Sequence, residues 1–219
     1  MTELRRKLAW LTIFAAAFGF VEAAVVVYIR RVSYPEGFRF PIEFLEPRLG
    51  IMEIAREAAT IAMLLAAAAL AARGFWGRFG AFALVFGVWD LVYYAGLKVV
   101  IGWPESWATW DVLFLIPGIW TGPIWSVAVV AGLLTVCGAW MMRRAEAAPA
   151  PRPRPWHWAA ALAALTLLLT AFLWNHRLVL GGGVPTYFPW PIWLAGLGCG
   201  LAPFADLFLR PYGKIPISA

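Results

Sequence analysis

The sequence is poor in charge and in the residues that bind metals. Only 14% of its 219 residues are charged, against about 25% in an ordinary soluble domain. It has two cysteines and two histidines, and it contains no phosphate-binding loop, nucleophile elbow, HExxH pair or dinucleotide fingerprint. A disulfide scaffold, a zinc site and a bis-histidine haem site are therefore excluded. We expect no cofactor, and only carboxylates could form a cation site.

Apolar residues are abundant instead. They make up 63% of the chain, and the mean hydropathy is +0.75, whereas soluble domains contain about 45–50% apolar residues. Disorder is excluded, and a polytopic membrane protein is predicted. The formal charge of +6 comes mainly from arginines between apolar segments. This placement is typical of topology signals, so we expect no nucleic-acid partner.

Six apolar segments are long enough to cross a hydrocarbon core of about 30 Å as helices. An all-α bundle of six spanning helices is therefore predicted. We expect the first segment to be retained as a span, because its apolar run continues past a weak signal-peptide pattern. The predicted spans are Leu8–Ile29, Ile51–Ala72, Gly80–Gly102, Ile119–Met142, Trp156–Asn175 and Tyr187–Leu209.

The stretch Trp103–Gly118 is apolar but too short to span a membrane. Trp103, Trp107 and Trp110 follow a helical spacing, and Pro104 suits a first helical turn. We therefore predict a short outer helix, interfacial or re-entrant, with tryptophans at the level of the lipid head groups.

The six spans form one predicted membrane domain, residues 1–219, in two groups. Residues 1–147 hold the first four spans and the polar site, 148–155 form a Pro-rich linker, and 156–219 hold the last two spans. The distribution of basic residues predicts cytoplasmic N- and C-termini in a bacterial cytoplasmic membrane. The residues predicted to be cytoplasmic are Arg5, Arg6, Lys7, Arg73, Arg78, Arg143, Arg144, Arg152, Arg154, Arg210 and Lys214.

The acidic residues are distributed unevenly. Nine of the 12 lie between residues 22 and 111, at the predicted outer side or towards the membrane middle: Glu22, Glu36, Glu43, Glu46, Glu53, Glu57, Asp90, Glu105 and Asp111. Glu22 lies about 10 Å from the outer end of its span at helical rise, and Asp90 lies near mid-span. A charge at a helix centre costs about 2.5–3.5 kcal/mol, so such residues indicate a polar cavity.

Glu22, Asp90 and Glu57 are therefore the candidate acid–base residues, or proton or cation sites. Further candidates for ligand binding share helix faces with them or follow them in the outer segment. These are Glu53, Arg56, Tyr93, Tyr94, Lys98, Glu105, Trp107 and Asp111. Four embedded carboxylates outnumber the two cations, Arg56 and Lys98, which predicts a protonated carboxyl, Glu22 first, or a bound cation.

Three functions remain open. A one-sided pocket that binds or acts on a lipid-like or small-molecule ligand is favoured, because the charged cluster ends halfway across the membrane. The alternatives are a small proton- or cation-coupled transporter and an accessory subunit of a larger complex. The GxxxG spacing of Gly196 and Gly200 predicts close helix contact, within the protomer or in a homo-oligomer.

Overall fold

The structure is a computed structural model that describes residues 2–43, 46–147 and 151–209. It contains six helices that are long and apolar enough to cross a membrane. The predicted all-α bundle of six spans is thereby confirmed, and the chain is a multi-pass membrane protein. The terminal residues Arg210 and Lys214 and linker residues 148–150 lie outside the described ranges.

Local sequence signals set several helix ends. The Thr2 hydroxyl accepts a hydrogen bond from the Arg5 amide (3.4 Å) at the start of the first helix, and Pro47 opens the second. Gly102 ends the third in a left-handed conformation, φ 72°. The helices are α1 (Glu3–Ser33), α2 (Pro47–Ala71), α3 (Gly74–Ile101), α4 (Ile124–Ala147), α5 (Pro155–Leu173), α6 (His176–Leu180) and α7 (Trp190–Phe204), and a π-helical turn (Ala205–Leu209) follows α7.

The segment between α3 and α4 differs from the prediction, because it forms a β-hairpin rather than a helix. Strands β1 (Trp110–Phe114) and β2 (Trp120–Pro123) pair antiparallel, with Asp111 opposite Gly122. Both strands are rich in aromatic and β-branched residues, which favour a strand over the helix suggested by the tryptophan spacing. Because β2 occupies part of the predicted fourth span, that helix starts only after Pro123.

The bundle is organised around α3, which packs against α1, α2 and α4. Small residues allow this close approach: a Cβ atom added to Gly138 of α4 would lie 2.5 Å from the Gly80 carbonyl oxygen of α3. We call the end of the bundle beside the β-hairpin the hairpin end. There α1 and α3 terminate and α2 and α4 begin.

Helices α5 and α7 pack against each other. Gly196 faces Leu168, and Gly200 lies within van der Waals reach of Ala164. The GxxxG pair therefore serves a helix contact within the chain, the first of the two uses predicted for it. An oligomer through this face stays a prediction.

Candidate functional site

A cavity of about 130 Å³ lies in the hairpin half of the bundle, among α1, α2, α3 and β1. Residues that are up to 93 positions apart in sequence, from Glu22 to Leu115, contribute to its wall. Seven of the residues singled out from the sequence line it: Glu22, Glu53, Arg56, Glu57, Asp90, Tyr93 and Asp111. The structure thus brings all three candidate acid–base residues to one cavity.

Arg56 of α2 joins two of these carboxylates. Its guanidinium donates to both oxygens of Glu53, at 2.9 and 2.5 Å, and forms a second ion pair with Glu22 of α1. The Thr60 hydroxyl, one helical turn further along α2, donates to the other Glu22 oxygen (3.4 Å). The cation and both acids are thereby largely committed to one another.

Glu57 connects α2 to the hairpin. Its carboxylate accepts the backbone N–H of Leu115, at 2.9 Å to Oε2 and 3.2 Å to Oε1. Leu115 directly follows β1, where the backbone leaves the strand ladder and needs another acceptor. A side chain of a spanning helix thus satisfies the backbone of the non-helical segment.

A third ion pair lies at the hairpin end of the cavity. Arg30 of α1 donates to Asp111 of β1 at 2.8 Å, and its guanidinium lies between the rings of Phe38 (4.3 Å) and Trp103 (3.8 Å). The Tyr94 hydroxyl also donates to Asp111 (3.1 Å). Burial raises the pKa of the Asp111 carboxyl above its ordinary value, and the Arg30 guanidinium acts in the opposite direction.

Asp90 differs from the other acids of the cavity. Among the described residues, nothing hydrogen-bonds or ion-pairs with its carboxylate. Its neighbours Trp89 and Tyr93 on α3 also line the cavity, with their rings stacked 6.4 Å apart. The indole Nε1 of Trp89 is buried without a partner in the described part of the chain. The Asp90 carboxylate therefore remains available as an acceptor, and the Trp89 indole N–H as a donor.

The other sequence candidates lie outside the cavity. Tyr94 reaches it only through Asp111. Lys98 is exposed and donates to the carbonyl groups of Gly102 (3.0 Å) and Pro104 (2.7 Å), so it caps the end of α3. Glu105 and Trp107 are exposed on the connection to the hairpin, Trp107 at 69%. Of the predicted stripe Asp90, Tyr94 and Lys98, Asp90 alone lines the cavity.

Arg30 lines the cavity although it is not among the predicted site residues and lies one position beyond the predicted first span, Leu8–Ile29. The structure has it in the last turn of α1, 7% exposed and ion-paired. The spacing Glu22, Val26, Arg30 places all three on one helix face and could have revealed it. The sequence predicts four embedded carboxylates and two cations, Arg56 and Lys98. The cavity is instead lined by five carboxylates, because Asp111 joins the four, and by the guanidinium groups of Arg56 and Arg30.

The described residues contain no group of three His, Cys, Asp or Glu side chains that could hold a metal ion. Both histidines have structural partners. His157 pairs with Asp206 at 3.0 Å, and His176 Nδ1 accepts the backbone N–H of Ile119 at 3.0 Å.

Comparison with known proteins adds no relative. The chain matches no protein-family model, no curated protein and no solved structure.

Proposed function

We propose that the cavity binds the polar part of a lipid-like or small-molecule ligand. The observation that carries this proposal is the convergence of charged and aromatic side chains from α1, α2, α3 and the hairpin on one cavity. Intramembrane ionisable residues that surround a cavity are characteristic of functional sites. Helix pairing alone would require no such cavity.

The apolar packing beyond the cavity favours binding over transport. One turn past Thr60 on α2, Leu64 is fully buried, and it packs in a cluster with Leu11, Ala15 and Val85. A transport path would need further polar positions towards the opposite end of the bundle. An accessory subunit is also less favoured, because Arg30 and Arg56 pair with acids of their own chain.

The proposed ligand enters from the outer side of the cell membrane. This orientation rests on the basic residues at the end opposite the hairpin, which follow the positive-inside pattern; they are Arg5, Arg6, Lys7, Arg73, Arg78, Arg143 and Arg144. With Cys137 and Cys199 removed, a membrane-impermeant maleimide should label Glu105→Cys in intact cells but not Arg78→Cys. The reverse pattern would contradict the orientation.

Mass spectrometry of small molecules that co-purify with the protein tests the binding proposal. We expect at least one amphiphile to accompany the wild type and to be lost from Asp90→Asn. Glu105→Gln is the matched control, because Glu105 is an exposed carboxylate outside the cavity, and this variant should retain the same molecule. A set of co-purified molecules unchanged by Asp90→Asn would overturn the proposal.

A further inference from the structure

We infer that the polar part of the ligand is an organic cation, an ammonium group with a nearby oxygen, as in an amino alcohol head group. This inference rests on the proposed function and names the chemical class of its ligand. Three features of the cavity carry it: its formal charge, the free groups around Asp90 and its size.

The formal charge favours a cationic ligand. Five carboxylates and two guanidinium groups line the cavity, an excess of three negative charges when all are ionised. Neither guanidinium group pairs with Asp90. Arg56 forms ion pairs with Glu22 and Glu53, and Arg30 forms one with Asp111. Away from water such an excess is costly, and a bound cation reduces it.

Asp90 and its aromatic neighbours resemble the group of side chains with which the chain binds the Arg30 cation. The chain holds the Arg30 cation with one carboxylate, Asp111, and with the aromatic faces of Phe38 and Trp103. Asp90 likewise has aromatic neighbours, Trp89 and Tyr93, on the cavity wall, but no side-chain cation pairs with it in the described residues. Aromatic faces attract ammonium groups, and the Asp90 carboxylate adds an opposite charge.

The size and donor set favour an organic cation over an inorganic one. Calcium requires six to eight oxygen ligands, whereas no three acidic side chains of the described chain converge for a metal. A volume of about 130 Å³ admits a small head group rather than a whole drug-sized molecule, for which pockets are about 300–1,000 Å³.

Free hydrogen-bond donors indicate the oxygen of the ligand. Trp89 is 5% exposed and its Nε1 has no partner, and Nη1 of the buried Arg30 is likewise unpaired in the described part of the chain. Both residues line the cavity. An oxygen next to the ammonium group would accept from one of them, which lowers the penalty of a buried unsatisfied donor.

The test compares choline with its neutral isostere 3,3-dimethylbutan-1-ol, on the full chain in an uncharged detergent, by calorimetric titration. The two probes share shape and hydroxyl group and differ in charge. We expect choline to bind at least about tenfold more tightly, because only the cation gains from Asp90 and the aromatic faces. Asp90→Asn should remove this preference, and Glu57→Gln should weaken it, whereas Glu105→Gln should leave it unchanged.

Equal affinity for the two probes, or binding of neither, would overturn the inference, and the wild type alone decides this even where a variant fails to fold. The proposed function fails separately. If Asp90→Asn loses a co-purified amphiphile while choline shows no advantage, the cavity binds a ligand of another class. If neither effect occurs, both proposals fail.

Discussion

The two halves of the helix bundle are held together by different interactions. In the hairpin half, buried ion pairs and hydrogen bonds surround a cavity, as between Arg30 and Asp111. In the opposite half, α1 to α4 pack through small and branched apolar residues such as Ala15, Leu64 and Val85. Two glycines, Gly80 and Gly138, bring α3 and α4 into close contact there.

This difference shows how a small membrane protein can maintain a polar cavity. Helix association in a bilayer depends on tight packing rather than on the hydrophobic effect, and the apolar half supplies that packing. Polar groups in the other half are therefore available to shape a cavity, provided that most of them find partners within the chain.

The largest expected effect comes from breaking the ion pair that joins the hairpin to α1. Asp111→Ala leaves the Arg30 guanidinium buried without its carboxylate, and we expect a loss of about 3–5 kcal/mol in the free energy of unfolding. Unfolding in mixed detergent micelles measures it. The double variant Arg30→Met, Asp111→Leu should recover much of the loss, and a double variant as unstable as Asp111→Ala would contradict this explanation.

The apolar half should respond to the addition of a single methyl group. The Cβ of Gly138→Ala would lie 2.5 Å from backbone atoms of Gly80 and Leu84, and overpacking of this kind costs about 1–3 kcal/mol. Gly132→Ala on the same helix is the matched control, because no atom lies within 4 Å of its added Cβ. A lower thermal midpoint is expected for Gly138→Ala alone, and equal midpoints would show that α3 and α4 are not in close contact.

Glu57 tests whether the hairpin depends on a side-chain acceptor. Glu57→Leu leaves the Leu115 N–H without its partner, at an expected cost of about 1–3 kcal/mol. Glu57→Gln retains an acceptor oxygen and should cost less. Amide hydrogen exchange at Leu115 should quicken in the leucine variant and change little in the glutamine variant. Equal exchange in both variants would rule out this hydrogen bond.

The smallest effect, on reactivity rather than on stability, locates the boundary between the halves. Glu53 and Leu64 lie on one face of α2; the Glu53 side chain is 14% exposed and Leu64 is 0% exposed. In a background without Cys137 and Cys199, a polar thiol reagent should modify Glu53→Cys at least about tenfold faster than Leu64→Cys, because thiol reactivity requires access. Similar rates would indicate that the cavity extends into the apolar half.

Much of the fold could be predicted because it follows from local patterns. The long apolar runs specify six spans, and Gly102 and Pro47 mark helix ends. The hairpin was missed because the spacing of Trp103, Trp107 and Trp110 imitates a helix. Strand pairing between Asp111 and Gly122 is a contact across a turn that periodicity does not reveal.

The candidate site was predictable in part for the same reason. Glu53 and Arg56 are neighbours on one helix, so their pairing follows from helical geometry. Lys98 shares a helix with Asp90, yet it caps that helix instead of lining the cavity. Arg30 lines the cavity although it lies one position beyond the predicted first span and was not a candidate.

By itself the sequence determined the membrane class, the six spans and the concentration of acids between residues 22 and 111, because composition, apolar run length and residue position can be read without knowing any contact. Only the tertiary structure decided which charges meet. Arg30 pairs with Asp111 across 81 positions, and Glu57 with the Leu115 backbone across 58. These contacts depend on which faces the packed helices turn towards one another, and a rotation of one residue moves a side chain by about 100°.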